Sequence, residues 1–177
     1  MQKLKEIELP ITKEEIVRLR AGDEVLLSGI VFTARDQAHK RLCECIEANK
    51  PLPININNSV IYYCGPTPHK KGKPIGSCGP TTAKRMDEFT PVLLSRGLSA
   101  MIGKGSRSKE VISAIKKYKS VYFIAPAGAG AYLAKKVKEA KIAAYPKLGP
   151  EAIYRLKVKD FPAIVGIDSK GRNIYEN

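Results

Sequence analysis

The sequence contains no apolar run that approaches the roughly 20 residues needed to span a bilayer. Its first residues, from Met1 to Glu6, also lack the apolar core of a secretory signal. These two absences argue against a membrane-spanning chain and against a secreted one. We therefore expect a cytoplasmic protein.

Cysteine pairs of the kind that bind zinc are missing as well. The four cysteines are Cys43, Cys45, Cys64 and Cys78, and no two of them have Cys-x-x-Cys spacing. Cys43 and Cys45 are two residues apart, so on a helix their side chains point in different directions. We expect reduced, structural thiols and no metal site made by this chain alone.

Acidic residues are scarce relative to basic ones. The chain has 17 Asp and Glu against 31 Lys and Arg, which gives a net charge of +14. Nucleic-acid binding, an acidic partner subunit and a thermostable charged surface each explain such an excess. No nucleic-acid motif accompanies the lysines, and aromatic residues are only 7% of the chain. A solvated or partner-facing surface is favoured, although charge alone leaves RNA open.

The composition and the pattern of apolar residues predict one globular α/β domain covering residues 1–177. Hydrophobic residues make up 44% of the chain and charged residues 27%, as in ordinary globular proteins. Apolar patterns predict a strand over 24–33, bulged near Gly29, and a helix over 36–47.

Thr12 and Glu15 have the spacing of a capping box at a helix start, and a later helix is predicted to continue to Ala140. Two late strands are predicted over 153–158 and 163–168. Because strands and helices alternate along the whole chain, we predict a mostly parallel central sheet with extra strands at the ends.

The sequence is organised around residues 76–87, a stretch with two glycines, a proline and two threonines. Either Thr81 or Thr82 can cap a new helix with its hydroxyl, and Arg85 would then lie one turn beyond Thr81. Free N–H groups at that helix start, together with Arg85, would bind a carboxylate or a phosphate. The alternative is a capped helix start that carries an ordinary surface arginine.

Two other basic residues stand where predicted strands end. Arg35 lies at the junction with the helix over 36–47, a place where open α/β sheets bind ligands. Its alternative is a surface salt bridge, for example to Asp36. Lys104 lies in a glycine-flanked turn after a later strand. His39 is expected to be solvated or hydrogen-bonded structurally rather than to act as a ligand or base.

A glycine-rich stretch, Pro-Ala-Gly-Ala-Gly-Ala at residues 126–131, invites a dinucleotide-binding interpretation. The third glycine of that motif is missing because Leu133 occupies its place, and no acidic partner is evident downstream. A glycine-rich turn between a strand and a helix needs no nucleotide, so we do not predict a nucleotide site.

Several motifs together point to a known family. Gly-Pro-Thr-Thr-x-x-Arg-Met-Asp occupies residues 79–87, and Tyr-Tyr-Cys-Gly-Pro-Thr-Pro precedes it at 62–68. Thr-Ala-Arg-Asp-Gln-Ala-His-Lys-Arg stands at 33–41 and Ile-Gly-Lys-Gly at 102–105. In this order they resemble the β subunit of iron–sulfur-dependent fumarases and tartrate dehydratases. The same region forms the C-terminal domain of single-chain class I fumarases.

The resemblance implies a "swivelling" β/β/α domain and a hydro-lyase that is active only with an α-type partner subunit. That partner would hold a 4Fe–4S cluster, in which one iron without a cysteine ligand acts as a Lewis acid on the substrate. This chain would supply the opposite wall of the pocket. Arg35, Arg85 and Lys104 would bind a small dicarboxylate, and Thr81 would transfer the proton at the carbon beside a carboxylate.

Fumarate, hydrated reversibly to malate, is the preferred substrate, because Glu-Ala-Ile at 151–153 and Asp-Phe-Pro at 160–162 look more like fumarases. L-tartrate, dehydrated to oxaloacetate, is the alternative substrate. A basic nucleic-acid-binding module and a free-standing carboxylate- or phosphate-binding domain are the alternative functions. The role of Thr81 stays open between base and helix cap. We expect a homodimer or a higher-order heteromer.

Overall fold

The structure is a computed structural model that describes residues 4–176. Strands and helices alternate over this range, as predicted. The strands are β1 (Lys5–Glu8), β2 (Glu24–Thr33), β3 (Val60–Tyr62), β4 (Ala100–Gly103), β5 (Val121–Ile124), β6 (Val137–Ala144) and β7 (Ile153–Ile167). The α-helices are α1 (Lys13–Arg18), α2 (Asp36–Glu47), α3 (Thr90–Ser95), α4 (Lys109–Tyr118) and α5 (Gly130–Lys136). Short 3-10 helices cover Ala83–Met86 and Pro146–Glu151.

The described strands form one sheet in the order β1-β2-β3-β4-β5-β7-β6. The pairings from β1 through β5 are parallel, whereas β7 runs antiparallel to β2, β5 and β6. Because β7 pairs with both β2 and β5, the ladder β2-β3-β4-β5-β7 closes on itself. The predicted α/β class with a mostly parallel sheet is confirmed, and the closure is a feature that the sequence pattern does not predict.

The length of β7 makes this closure possible. We predicted two strands here, but residues 153–167 form one strand, which is bent where Asp160 has a φ of +50°. The backbone N–H of Asp160 donates to Ser28 Oγ at 3.0 Å, beside a shift in the β2–β7 register between Leu27 and Gly29. The predicted bulge near Gly29 is thus confirmed. The bend lets the first half of β7 pair with β6 and its end pair with β5.

Alternate side chains of the central strands enter two different cores. Tyr62 and Phe123 pack in a cluster that contains residues of all seven strands. Their sequence neighbours Ile61 and Tyr122 pack in a second cluster, together with residues of α2, α3 and α4. All four side chains are fully buried, as the two-residue period of a strand requires when both faces of a sheet are covered.

The helix starts follow local signals more closely than the helix ends do. Thr12 and Glu15 form the predicted capping box at α1, and α2 has the predicted bounds. We predicted that α5 continues to Ala140, but it ends at Lys136 because residues 137–144 pair with β7 as β6. None of the helices within residues 4–176 is long and apolar enough to cross a membrane.

The bulge in β2 lies close to the chain that precedes α1, and this contact leads to a prediction about stability. Gly29 has a φ of +130°, and an added Cβ would lie 2.6 Å from the carbonyl oxygen of Leu9. Gly29→Ala should therefore lower the free energy of unfolding by about 3 kcal/mol or more, measured by urea denaturation. Gly72→Ala is the control, because φ is +78° there but no atom lies within 4 Å of the added Cβ. Its loss should be about 1 kcal/mol, and equal losses in the two variants would contradict the steric argument.

Candidate active site

The four candidate residues lie at one edge of the sheet, where the parallel strands β2, β3 and β4 end. Arg35 stands two residues after β2, and Lys104 follows β4 directly. Thr81 and Arg85 reach the same edge from the long connection between β3 and β4. Two strand spacings, about 10 Å, separate β2 from β4, a gap that arginine and lysine side chains can bridge. The sheet edge therefore gathers the predicted residues.

Residues 81–83 are attached to this edge by backbone hydrogen bonds. The N–H of Thr81 donates to the carbonyl of Tyr63 at 2.6 Å, and the N–H of Ala83 donates to the carbonyl of Lys104 at 2.9 Å. Thr82 and Lys104 form a parallel β-bridge. The segment therefore continues the sheet between the ends of β3 and β4, which fixes the backbone of Thr81 beside that of Lys104.

The prediction that the hydroxyl of Thr81 or Thr82 caps a helix is wrong. The helical turn that follows is the 3-10 helix Ala83–Met86, and the Thr82 hydroxyl at its start makes no capping hydrogen bond. The physical reason is that the sheet edge takes the N–H groups of Thr81 and Ala83, which keeps the chain extended through Thr82. Only one turn of 3-10 helix follows, so the charged groups for an anion at this edge are the side chains of Arg35, Arg85 and Lys104.

Arg85 is paired with Asp36 by two hydrogen bonds. Nε donates to Oδ1 at 3.0 Å and Nη2 donates to Oδ2 at 2.8 Å. Asp36 was the partner suggested for Arg35 in the salt-bridge alternative, and the structure pairs it with Arg85 instead. The pair is partly exposed and contributes about 0–1 kcal/mol of stability at most. Its main effect is to hold Arg85 beside the start of α2, next to Arg35, with Nη1 outside the pair.

The side chain of Arg35 lies across Gly65. A Cβ at Gly65 would be 2.7 Å from Arg35 Nη1 and 3.2 Å from the carbonyl oxygen of Pro150, so only glycine leaves the space. The Nε atom of Arg35 is buried and has no hydrogen-bond partner within residues 4–176. Buried N–H groups without partners are rare. This donor is unsatisfied, but it has almost no solvent-accessible surface, so a ligand oxygen could reach it only after neighbouring atoms move.

Sequence reasoning missed Asp36 and Gly65 as parts of this site. Asp36 pairs with Arg85, which is 49 residues away in the sequence, and motif spacing does not predict contacts over such a separation. Gly65 belongs to the Cys-Gly-Pro-Thr motif that occurs at residues 64–67 and again at 78–81. That recurrence was the available signal, because both copies meet at the sheet edge: the N–H of Thr67 donates to the carbonyl of Ser77 at 2.9 Å.

An apolar groove of about 610 Å³ borders the candidate site. Ile124, Pro162, Ile164 and Tyr175 are among the residues that line it, and Lys104 brings one cation to its wall. Arg35 and Arg85 do not line this groove. The groove by itself therefore suits an apolar group better than a dianion.

The cysteines do not fit the iron–sulfur cluster that the family resemblance implies. Within the described range, no three Cys, His, Asp or Glu side chains are grouped so that they could hold a metal ion. A hydrogen bond with the Cys78 thiol and burial raise the pKa of Cys64 well above its ordinary value. Burial raises the pKa of Cys43 to about 11. Because iron is bound by thiolates, the buried and protonated thiols of Cys43 and Cys64 are unsuited to the cluster. The hydrogen bond with Cys64 lowers the pKa of Cys78, but one thiolate alone cannot hold a cluster.

The glycine-rich stretch at 126–131 has a packing role. A Cβ on Gly130 would lie 2.9 Å from the backbone nitrogen of Gly79, and the N–H of Cys78 donates to the carbonyl of Gly130 at 3.2 Å. Glycine at this position lets the start of α5 touch the turn before Thr81. This contact accounts for Gly130 without a bound nucleotide.

Comparison with known proteins agrees with the motifs at the sheet edge. The profile of the family described as Fumarase C-terminus matches residues 1–177. The chain belongs to this family. The resemblance drawn from the motifs is therefore confirmed, and it extends over the whole chain.

The relatives within the Fumarase C-terminus family differ in length. A Methanocaldococcus jannaschii protein provisionally named L(+)-tartrate dehydratase subunit beta is 39% identical over 172 residues, which cover 94% of this chain and 88% of the relative. The anaerobic class I fumarate hydratase of Escherichia coli K12 is 43% identical over 152 residues, 85% of this chain and 28% of the relative. Fumarate hydratase 2 of Leishmania major is 38% identical over 174 residues, 96% of this chain and 31% of the relative. The chain thus spans about a third of these fumarate hydratases.

Behind the candidate site of this fumarase-family chain lies a buried histidine. His39 is fully buried, contrary to the solvated alternative, and its Nδ1 lies 2.8 Å from the carbonyl oxygen of Arg35. Because a carbonyl only accepts, Nδ1 carries the proton and donates it. Burial lowers the pKa of His39 to about 4, with the Arg107 guanidinium acting in the same direction and Asp36 opposing it. The imidazole is therefore neutral at pH 7.

This shift predicts a pH-dependent stability. Because the pKa of His39 is about 4 when folded and 6.5 ordinarily, the unfolded chain binds more protons between these values. Stability should fall as the pH drops from 6.5 to 4, by about 3 kcal/mol through this group. His39→Gln should flatten that part of the curve, measured by urea unfolding at several pH values. His69→Gln, in an exposed loop, is the control and should leave the slope unchanged. Parallel curves for wild type and His39→Gln would contradict the assignment.

Proposed function

We propose that this chain is the β subunit of an iron–sulfur-dependent fumarate hydratase, which adds water reversibly to fumarate to give malate. One observation carries the proposal: the segments that carry Arg35, Thr81, Arg85 and Lys104 lie at the same edge of the sheet. Membership of the Fumarase C-terminus family and the fumarate hydratases among the relatives support this reaction class. The single domain over 1–177 and its swivelling β/β/α type belong to the same proposal.

Binding of fumarate requires fixed cations and donors, because the substrate is a dianion. Arg35 offers a guanidinium that has no acidic partner within the described residues, and Arg85 offers Nη1 while Asp36 binds the other side of its guanidinium. Hydrogen bonds of this charged kind contribute about 1.5–3 kcal/mol each. Because Asp36 neutralises part of the charge of Arg85, Arg35 and Lys104 provide the larger share of the electrostatic attraction.

Thr81 Oγ1 is the atom that moves the proton at the carbon beside a carboxylate in this proposal. A threonine hydroxyl is a weak base unless cations stabilise its alkoxide, and in this proposal Arg85 and Lys104 are the cations that do so. The same cations stabilise the negative charge that develops on the substrate. The hydrogen bond from the N–H of Thr81 to Tyr63 holds the backbone under this hydroxyl in place.

A partner subunit of the α type holds the 4Fe–4S cluster in this proposal, because the cysteines of this chain do not fit it. The M. jannaschii relative, named as a subunit beta, supports an enzyme made of two chains. The fumarate hydratases, of which this chain matches about a third, are long enough to contain such a partner in the same polypeptide. The wall built by Arg35, Arg85 and Lys104 would face that partner.

L-tartrate is the second candidate substrate. The observation in its favour is the M. jannaschii relative, which has nearly the same length as this chain and carries a tartrate dehydratase name. Both substrates are dicarboxylates that exchange a hydroxyl and a proton on neighbouring carbons, so the same cations and hydroxyl serve either one. A nucleic-acid-binding role has only the net charge of +14 in its favour, and we do not propose it.

Reconstitution tests the proposed function. Co-expression with an α-type partner should give a brown, oxygen-sensitive complex that hydrates fumarate, whereas this chain alone should be colourless and inactive. Parallel assays with fumarate and L-tartrate, at equal iron content, decide the substrate. Activity of the isolated chain without iron would refute the proposal, and so would an iron-loaded complex that acts on neither dicarboxylate.

Two adjacent threonines give a matched test of proton transfer. Thr81→Ala in the complex should lower kcat by about 10²- to 10⁴-fold, because the proton then has no carrier at this position. Thr81→Ser should keep most of the rate, since it retains the hydroxyl. Thr82→Ala is the control and should stay within about twofold of wild type, because its exposed side chain has no assigned role. A near-normal kcat for Thr81→Ala would remove Thr81 from the mechanism.

A further inference from the structure

Arg107 is a buried cation directly behind the candidate site. Its side chain has no solvent exposure, which is unusual for an arginine. It lies in the same connection as Lys104, between β4 and α4. Burying a guanidinium is strongly unfavourable unless partners compensate for the lost water. The partners of Arg107 therefore indicate its role in the structure.

Two side chains that follow Arg85 in the sequence accept hydrogen bonds from the Arg107 guanidinium. Arg107 Nε donates to Asp87 Oδ1 at 2.7 Å, and Arg107 Nη2 donates to Thr90 Oγ1 at 2.7 Å. The second carboxylate oxygen of Asp87 accepts the backbone N–H of Ser108 at 2.7 Å. These bonds join residues 87–90, which follow Arg85, to the turn that follows Lys104.

Two aromatic rings cover the guanidinium. Its Cζ lies 5.2 Å from the ring centre of Tyr63 and 4.9 Å from that of Tyr122, within the range of cation–π attraction. The carbonyl of Tyr63 accepts the N–H of Thr81, and the hydroxyl of Tyr122 donates to the carbonyl of Gly105, the neighbour of Lys104. Arg107 thus contacts the residues that fix both Thr81 and the turn of Lys104.

We propose that Arg107 is a positioning residue, which holds the segment with Thr81 and Arg85 and the turn with Lys104 in one fixed arrangement. This inference rests on the proposed function. Arg107 does not reach the substrate itself, because its side chain is enclosed by Asp87, Thr90 and the two tyrosine rings. It acts through the backbone of the residues that bind the dicarboxylate and move the proton.

The planar fork of arginine explains why this position requires it. The guanidinium reaches Asp87 and Thr90 at the same time from two different nitrogens. Lysine keeps the positive charge but has a single nitrogen on a flexible stem, so it cannot reproduce both contacts with the same geometry. Arg107→Lys therefore separates the charge of the residue from its geometry.

The experiment compares Arg107→Lys with Arg172→Lys in the reconstituted complex. Arg172 also pairs through Nε with an aspartate, at 2.6 Å from Asp168 Oδ2. It follows β7, whose end pairs with the start of β5, so it lies at the opposite edge of the sheet from Thr81. Hydrogen–deuterium exchange of residues 81–87 and 103–108 is measured together with kcat and KM, well below the unfolding temperature. Thr90→Val, which removes one acceptor and keeps the ion pair, replaces Arg107→Lys if that variant does not fold.

In Arg107→Lys, the backbone amide hydrogens of residues 81–87 and 103–108 should exchange at least about tenfold faster than in the wild type. kcat/KM should fall about 10- to 100-fold, because small displacements of binding groups are costly to rate. Arg172→Lys should leave both readouts at the wild-type level even where it lowers the unfolding temperature. Unchanged exchange, or unchanged kcat/KM in Arg107→Lys while the wild-type complex is active, overturns the positioning role. An inactive wild-type complex instead overturns the proposed function.

Discussion

The hydrogen bonds from Thr81 to Tyr63 and from Ala83 to Lys104 attach a connecting segment to the carboxyl edge of the sheet, and the arrangement of the site depends on them. Connections of this kind normally run over the surface and are mobile. Here three residues of the connection share the order of the sheet, which gives Thr81 the precision of a strand residue. The chemistry proposed for Thr81 requires that precision, because a hydroxyl transfers a proton only within hydrogen-bond reach.

Charge at this edge is only partly balanced. Asp36 pairs with Arg85 and Asp87 pairs with Arg107, whereas neither Arg35 nor Lys104 forms a salt bridge within residues 4–176. The two acids therefore fix the orientation of two arginines and leave the other two cations to attract an anion. This imbalance agrees with the dicarboxylate proposed as the substrate, since uncompensated positive charges attract an anion.

A buried polar layer supports the edge from behind. His39 packs edge-on against Tyr63, with ring centres 5.3 Å apart, and Tyr63 also contacts Arg107. Not every polar atom of the layer is paired, because His39 Nε2 and Arg107 Nη1 are buried without a hydrogen-bond partner within residues 4–176. The layer is therefore held by ring packing and by the hydrogen bonds that His39 and Arg107 do form. These contacts join α2, the residue after β3 and the connection after β4, and so connect the stability of the fold to the geometry of the site.

The sequence by itself determined the parts of this protein that depend on neighbouring residues. The capping box at Thr12, the bounds of α2, the bulge near Gly29 and the α/β alternation follow from local propensity and period. It also determined the family, because the motifs at 33–41, 62–68 and 79–87 are specific in their order.

Only the tertiary structure decided which residues meet across long stretches of chain. The closure of the sheet through β7, the pairing of Arg85 with Asp36 and the extended path of residues 81–83 each depend on partners far away in sequence. The predicted capping of a helix by Thr81 or Thr82 is wrong for this reason. A local capping signal contributes about 1 kcal/mol, and the hydrogen bonds and packing offered by the sheet edge outweigh it.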